Sequence, residues 1–383
     1  MRGRFTFIAI SAVALLAFAC ADTDRTVPVP TPAVLSPTPA PVPLAFPQDE
    51  GAHENRLEWW YYSGHLQDES GDEYGFHFVV FQSLDPLASG DSGNGQGPAY
   101  AAQFGLTTVS SGRHIHEARF SGGEQPQSGP GLSGFQVADW SLSANPDLHT
   151  IDAGTDDVRL SLSMTPTKLP ALHNDIGWLA GPTTGWTYYY SRPRMAAGGM
   201  LELGGQRFTV SGDVWMDHQW GEFFVLGNPA GWQWFGIQLD DGTELMVTQT
   251  RNVDGDIDAL YGSFIDIDGS LKSIGLNPGE LELTTERFWT SPHTGAEYPS
   301  GWVIRLPEEE LHIEIYPVVD DQEIISTRPE SAIYWEGKVS INGTQAGSPI
   351  TGDGFVELTG YVLPEPLPWR ILSMADRRVE ITE

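Results

Sequence analysis

Three short clusters set titratable side chains beside large aromatics. The first is Glu58-Trp59-Trp60-Tyr61-Tyr62-Ser63-Gly64-His65, preceded by His53. The second runs Trp215-Met216-Asp217-His218-Gln219-Trp220-Gly221-Glu222 and is followed by Trp232-Gln233-Trp234-Phe235. The third is Tyr334-Trp335-Glu336-Gly337, with Glu357-Leu358-Thr359-Gly360-Tyr361 beyond it. Carboxyl and imidazole groups among indoles and phenols suit general acid–base work beside an apolar molecule, because burial shifts their proton affinities toward neutral pH. The competing reading is plain barrel packing, with every polar group satisfied by hydrogen bonds. Side chains alternate on a strand, so Glu58, Trp60 and Tyr62 share one face while Trp59 and Tyr61 share the other. His218 and Trp220 likewise share a face. Asp217 points away from His218, and a direct dyad between them requires a bulge or turn.

Familiar catalytic signatures are missing: there is no Gly-x-Ser-x-Gly elbow, no phosphate-cradling loop ending in Lys-Ser/Thr and no His-Glu-x-x-His helix. His114 and His116 point to one face of a presumed strand, but nothing nearby in sequence completes a metal site. Asp254, Asp256 and Asp258 open like a calcium loop. Ala259 stands where its turn glycine belongs and no ligand Glu follows, which leaves a solvated acidic hairpin. The reading is therefore of chemistry without cofactor or metal.

The elements that must position these groups are strands. Period-two alternation is clearest at Tyr74, Phe76, Phe78 and Val80 against Gly75, His77, Val79 and Phe81. Comparable runs cover 57–66, 99–109, 158–164, 185–191, 207–215, 232–239, 244–250, 259–267, 280–288, 302–306, 311–316, 332–341 and 355–363. Hairpin signals fall at Gly71-Asp72, Gly204-Gly205, Asp241-Gly242, Asp254-Gly255, Asp268-Gly269 and Asn342-Gly343. A short helix is expected only near 369–374, and 88–98 reads as a surface loop. Many antiparallel strands must hide their edges, and two consecutive barrels of about eight to ten strands each fit the length. The boundary is placed at Ala196-Ala197-Gly198-Gly199, giving an N-terminal barrel over 48–197 and a C-terminal one over 198–383. The fold class is all-β.

Of 383 residues, 20 are Lys or Arg and 51 Asp or Glu, a formal charge of −31 that argues against nucleic-acid binding. The hydrophobic share of 40 % excludes a wholly disordered chain. Arg2 and Arg4 precede an apolar run over 5–19, the pattern of a signal peptide spanning 1–19. Cys20, the single cysteine, follows directly and resembles the lipidated residue of a bacterial lipoprotein signal. The Pro-rich 20–47 stretch reads as an extended tether. The expected location is the cell envelope, membrane-anchored through Cys20, with plain secretion as the alternative.

In this order the clusters resemble the carotenoid 1,2-hydratase superfamily of AttH-type lipocalin-like proteins. The resemblance is carried by His53 with Glu58-Trp59-Trp60-Tyr61, by Trp215 with Asp217-His218-Gln219-Trp220-Gly221, and by Gly231-Trp232-Gln233-Trp234-Phe235. It continues through Leu239-Asp240-Asp241-Gly242, Tyr298-Pro299, Tyr334-Trp335-Glu336-Gly337 and the run from Gly354 to Tyr361. It implies two lipocalin-like barrels, an apolar ligand or substrate, and cofactor-free hydration of an isoprenoid double bond through protonation and water capture. Under it the catalytic candidates are Asp217, His218, Trp220, Glu58 and Glu336. The ligand-binding candidates are Trp59, Trp60, Tyr61, Trp215, Trp232, Gln233, Trp234, Tyr334, Trp335 and Tyr361. A Tyr-x-Asp pair implied by the same resemblance is absent from the chain. That keeps two alternatives open, a non-catalytic carrier of an apolar ligand and a secreted hydrolase.

Overall fold

The computed structural model describes residues 38–84, 99–122, 131–181, 185–223, 231–252, 254–325 and 333–362. The signal region with Cys20, the loop over 88–98 and the short helix near 369–374 lie outside these residues. A single 3-10 turn, Gln48–Glu50, precedes the first strand.

Alternating apolar residues give two antiparallel sheets. The first contains β1 (Leu57–Asp68), β2 (Glu73–Ser83), β3 (Ala99–Thr108), β4 (Arg113–Gly122), β5 (Ser133–Val137) and β6 (Trp140–Ala144). It is completed by β7 (His149–Gly154), β8 (Val158–Pro166), β9 (Ala171–Leu172), β10 (Trp178–Gly181), β11 (Gly185–Leu203) and β12 (Gln206–Phe223). Its order is β4-β3-β2-β1-β12-β11-β8-β7-β6-β5, with β9 and β10 beside β11. The second contains β13 (Trp232–Leu239), β14 (Glu244–Arg251), β15 (Ile257–Ile265), β16 (Leu271–Ile274) and β17 (Glu282–Thr290). Then come β18 (Glu297–Leu306), β19 (Leu311–Pro317), β20 (Glu323–Ile324), β21 (Tyr334–Gln345) and β22 (Ser348–Leu358). Its order is β16-β15-β14-β13-β22-β21-β19-β18-β17, with β20 beside β21. The first sheet curls into a nearly closed barrel and the second into a half-barrel, so the expected all-β, two-barrel architecture holds with the second barrel less closed.

Two expectations of organisation need correction. The boundary at 196–199 falls inside β11, which pairs with β12 from Gly185 to Leu203. The whole of 198–223 belongs to the first sheet, and the chain changes sheets after β12. Gly199 is not a linker residue: a Cβ there would lie 2.0 Å from the Ser161 carbonyl oxygen, so the glycine permits close strand pairing. Asn342-Gly343 is not a turn either. The β21–β22 hairpin turns at Ala346 and Gly347, both with positive φ, and Gly343 sits mid-strand with its Cα side against the His312 carbonyl.

Each barrel has its own core. Trp60, Tyr62, Phe76, Phe78, Phe104 and Trp140 fill the first, and Phe235, Trp302, Ile304, Ile313, Trp335 and Val339 the second. A third cluster, with Tyr61, Val79, Tyr189, Trp215, Trp234, Met246 and Phe355, lies between the sheets and joins them. Each fully buried large apolar side chain contributes about 1.5–3 kcal/mol. Ion pairs fix the join: fully buried Glu244 receives Lys168 Nζ and Arg194 Nε, each at 2.7 Å, and Arg194 also reaches Asp213 at 2.7 Å. A register shift between Arg192 and Met195 in β11 lets Arg192 point into the first barrel while Arg194 points to the join.

Candidate active site

The strand alternation read from the sequence is what the structure shows, and it separates the five catalytic candidates into two places. Glu58 and Trp60 on β1, with His218 and Trp220 on β12, face the interior of the first barrel. Tyr61 on β1 and Trp215 and Asp217 on β12 face the second sheet, where Glu336 meets them.

Inside the first barrel, Glu58 is fully buried and contacted by four nitrogens. His53 Nδ1 and His218 Nε2 approach its Oε1 at 2.8 and 2.7 Å. The His53 amide and Gln82 Nε2 approach its Oε2 at 2.8 and 3.3 Å. His53 lies flat on Trp220, ring centroids 3.9 Å apart, and His218 stacks on Trp60 at 4.6 Å. Burial opposes a charge on His53, but hydrogen bonds to Asp49 and Glu58 outweigh it and raise its pKa to about 9. Burial moves His218 the other way, downward.

Between the sheets, Asp217 is buried and accepts from three directions: Trp215 Nε1 at 2.6 Å, the Tyr189 hydroxyl at 2.6 Å, and the Ser191 hydroxyl. Trp234 Nε1 in turn donates to the Tyr189 oxygen at 3.0 Å, and His173 Nε2 meets Ser191 Oγ at 2.6 Å. Burial raises Asp217 to about 6 against the pull of its three donors. Glu336 and Glu357 stand directly opposite one another on β21 and β22. Burial, then repulsion from Glu357, pushes Glu336 well above the carboxylate range. Glu357 is raised to about 7 by burial, with Trp232 Nε1 donating at 3.0 Å. Among the described residues Glu336 Oε1 and His77 Nε2 have no hydrogen-bond partner, while the hydroxyls of Tyr61 and Tyr334 act on Glu336 against its rise. His77 Nε2 lies 3.9 Å from Glu336 Oε2.

The ligand-binding candidates divide in the same way. Trp59, Tyr61, Trp215, Trp232 and Trp234 line the join, and Tyr334 reaches across it to Gln103. Trp60 belongs to the first barrel. Gln233 and Trp335 are turned into the second barrel, where Gln233 accepts from Trp302 Nε1 at 2.8 Å and Trp335 donates to the Asp320 carbonyl at 2.7 Å. Tyr361 packs on Tyr298 and under the Arg251 guanidinium. None of these three reaches the inter-sheet carboxylates: Gln233 and Trp335 have the opposite strand parity, and Tyr361 lies beyond the end of β22. His114 and His116 are half-buried. They are held by Thr107 and by the Ile325 amide at the join. Asp254 and Asp256 sit in an exposed turn whose amides donate to Asn252. Two surface hollows of about 150 and 280 Å³ lie elsewhere on the first sheet and include none of the candidates.

Sequence reading missed Tyr189 and Ser191, which reach Asp217 from β11, and His173, which holds Ser191, and did not give Glu357 a role. The tyrosine run at 188–190 was the available signal for the first of these.

A protein-family model described as AttH-like matches residues 37–361, most of the chain. The chain belongs to the AttH-like family. An AttH from Nitrosomonas europaea is 30 % identical, the match covering 86 % of this chain and 100 % of that one, with a TM-score of 0.75. Kievitone hydratase from Nectria haematococca shares the fold at 14 % identity and a TM-score of 0.65, over 83 % of this chain and 93 % of its own. CghA, solved with Sch210972, shares it at 12 % identity and a TM-score of 0.54, over 85 % and 94 %. No curated protein sequence matches the chain. Membership in the AttH-like family agrees with the resemblance read from the clusters.

Proposed function

We propose that this AttH-like protein adds water to a carbon–carbon double bond of a lipophilic, isoprenoid-like molecule at the join between its sheets. The observation that carries the reading is Glu336, a buried carboxyl that burial and Glu357 push well above the carboxylate range against the hydroxyls of Tyr61 and Tyr334, with Oε1 unpartnered among the described residues. A protonated acid in apolar surroundings is what alkene protonation requires. Glu336 gives its proton to one alkene carbon, and the π electrons form the new C–H bond. The resulting carbocation faces the indole and phenol rings of Tyr61, Trp232 and Trp234. Water bonds to the cationic carbon and releases a proton to Glu357, and proton exchange between the paired carboxyls restores the starting state. Asp217 holds Tyr189, Ser191 and Trp215 in place. On this reading Glu58, His218 and Trp220 stand apart from the reacting atoms.

The test is incubation with a linear isoprenoid bearing a trisubstituted terminal double bond in ¹⁸O-labelled water, followed by mass spectrometry. The wild type should yield the labelled tertiary alcohol and Glu336→Gln should not. Equal product from both would overturn the assignment of the acid. Binding without any product from wild type would favour the carrier reading, which the three donors on Asp217 and the aromatic lining also fit. Export and anchorage through Cys20 are part of the same proposal, tested by the mass of the N-terminal fragment of membrane-bound protein.

A further inference from the structure

The cluster inside the first barrel has a hydrogen count that its contacts do not close. Tyr190 directs its single hydroxyl proton to Glu50 Oε2 at 3.0 Å, and Glu50 is also paired with Arg192. The 3.1 Å contact between Tyr190 and His218 Nδ1 therefore takes its hydrogen from the ring nitrogen. His53 Nε2 faces Asp49 Oδ1 at 3.4 Å, and a carboxylate there again places the hydrogen on the outer nitrogen. When both rings are neutral, the form in which they can bind a metal, their inner nitrogens, His53 Nδ1 and His218 Nε2, aim lone pairs at one oxygen of Glu58. Three converging lone pairs call for positive charge between them, supplied by two extra protons or by one divalent ion.

We propose that His53, Glu58 and His218 bind one divalent transition-metal ion, of the class that zinc represents. Their ligand atoms lie within 4.8 Å of one another. Two imidazoles and a carboxylate are the donors such ions take. The outer nitrogens are held by a carboxylate and a hydroxyl, the supporting contacts that fix ligand tautomers around bound metals. Bonds of about 2.0–2.1 Å place ligand atoms roughly 3.3 Å apart in a tetrahedron, so the present 2.7 and 2.8 Å contacts must widen by a few tenths of an ångström. Glu58 and His218 sit on paired strands, whereas His53 lies ahead of β1 with 20 % of its side chain exposed. His53 supplies both the movement and the path from solvent. Trp220 and Trp60 stack on the two rings and fix their planes. Three ligands leave a fourth position to water. This site is separate from the inter-sheet carboxylates, and its test does not depend on turnover.

Full-length protein, stripped with chelator, is titrated with zinc by calorimetry and with cobalt by visible absorption. Wild type should bind one equivalent tightly and develop the intense visible bands of low-coordinate cobalt. His53→Ala should weaken zinc binding about a hundredfold or more and abolish those bands, and Asp49→Asn, on the outer side of His53, should weaken it about tenfold. Both variants change partly exposed residues, which keeps folding out of the comparison, and circular dichroism checks it. Equal affinity in wild type and His53→Ala would mean diffuse uptake by an acidic surface of net charge −31 and would overturn the site. Absence of stoichiometric binding to wild type would leave protons alone to close the cluster, and would overturn it equally.

Discussion

Glu58 and Glu336 are the same residue type, equally buried, in one molecule, yet their surroundings are opposite. Glu58 is met by four nitrogens from His53, Gln82 and His218. Glu336 faces another carboxylate, two tyrosines and a histidine 3.9 Å away, and one of its oxygens has no partner among the described residues. A carboxyl provided with donors is a fixture of the fold. One whose donors are outweighed by burial and a neighbouring carboxyl keeps a proton. Burial alone therefore does not set a carboxyl's proton affinity; the balance of donors and neighbouring charge does.

The largest effect that sharpens this contrast concerns turnover. Glu336→Gln should lower hydration about 10²- to 10⁴-fold, measured as product per unit time, while Glu58→Gln should leave the rate of correctly folded protein within a few-fold. A comparable loss in the Glu58 variant would break the comparison. In stability the ranking reverses. Glu58→Ala leaves two imidazoles without their common partner and should cost about 3–5 kcal/mol in urea unfolding.

The pH dependence separates the two regions more finely. Glu357 rises from 4.5 to about 7 in the folded protein. Between those values the folded state keeps a proton that the unfolded chain has released, so stability from this group is greatest below about 4.5 and falls as pH rises through about 7. Glu357→Gln should therefore raise stability at pH 8 by about 1–2 kcal/mol, a figure reduced for the group's partial exposure, and make no such difference at pH 4. A variant less stable than wild type at pH 8 would show that the pair is not strained. The smallest effect belongs to exposed acids. Asp254→Asn should change stability by less than about 0.5 kcal/mol, with or without calcium.

Strand alternation made much of this legible in advance. The opposite faces of Asp217 and His218, the shared face of His218 and Trp220, and the split between Trp60 and Tyr61 all follow from a period of two. What alternation cannot give is register between strands. With a turn at Asn342-Gly343, Glu336 would be set against Pro349; the turn at Ala346 and Gly347 sets it against Glu357. Gly343 looked like a turn residue because glycine serves close strand contact as readily as a bend, and sequence does not distinguish the two. The same ambiguity at Gly199 misplaced the domain boundary. The donors to Asp217 were hidden for a related reason: Tyr189 and Ser191 come from the neighbouring strand, and His173, which holds Ser191, from a short connection, far apart in sequence.

The β11–β12 hairpin is one wall with two furnished sides. Tyr190, His218 and Trp220 point inward, and Tyr189, Ser191 and Asp217 point outward. Inheritance along such a wall obeys parity. Substitutions on one side can accumulate without touching the other, but a single-residue insertion or deletion between 213 and 220 would exchange the contents of barrel and join at one stroke. Length changes there are tolerable only in pairs, or where the irregularity between Arg192 and Met195 already absorbs one.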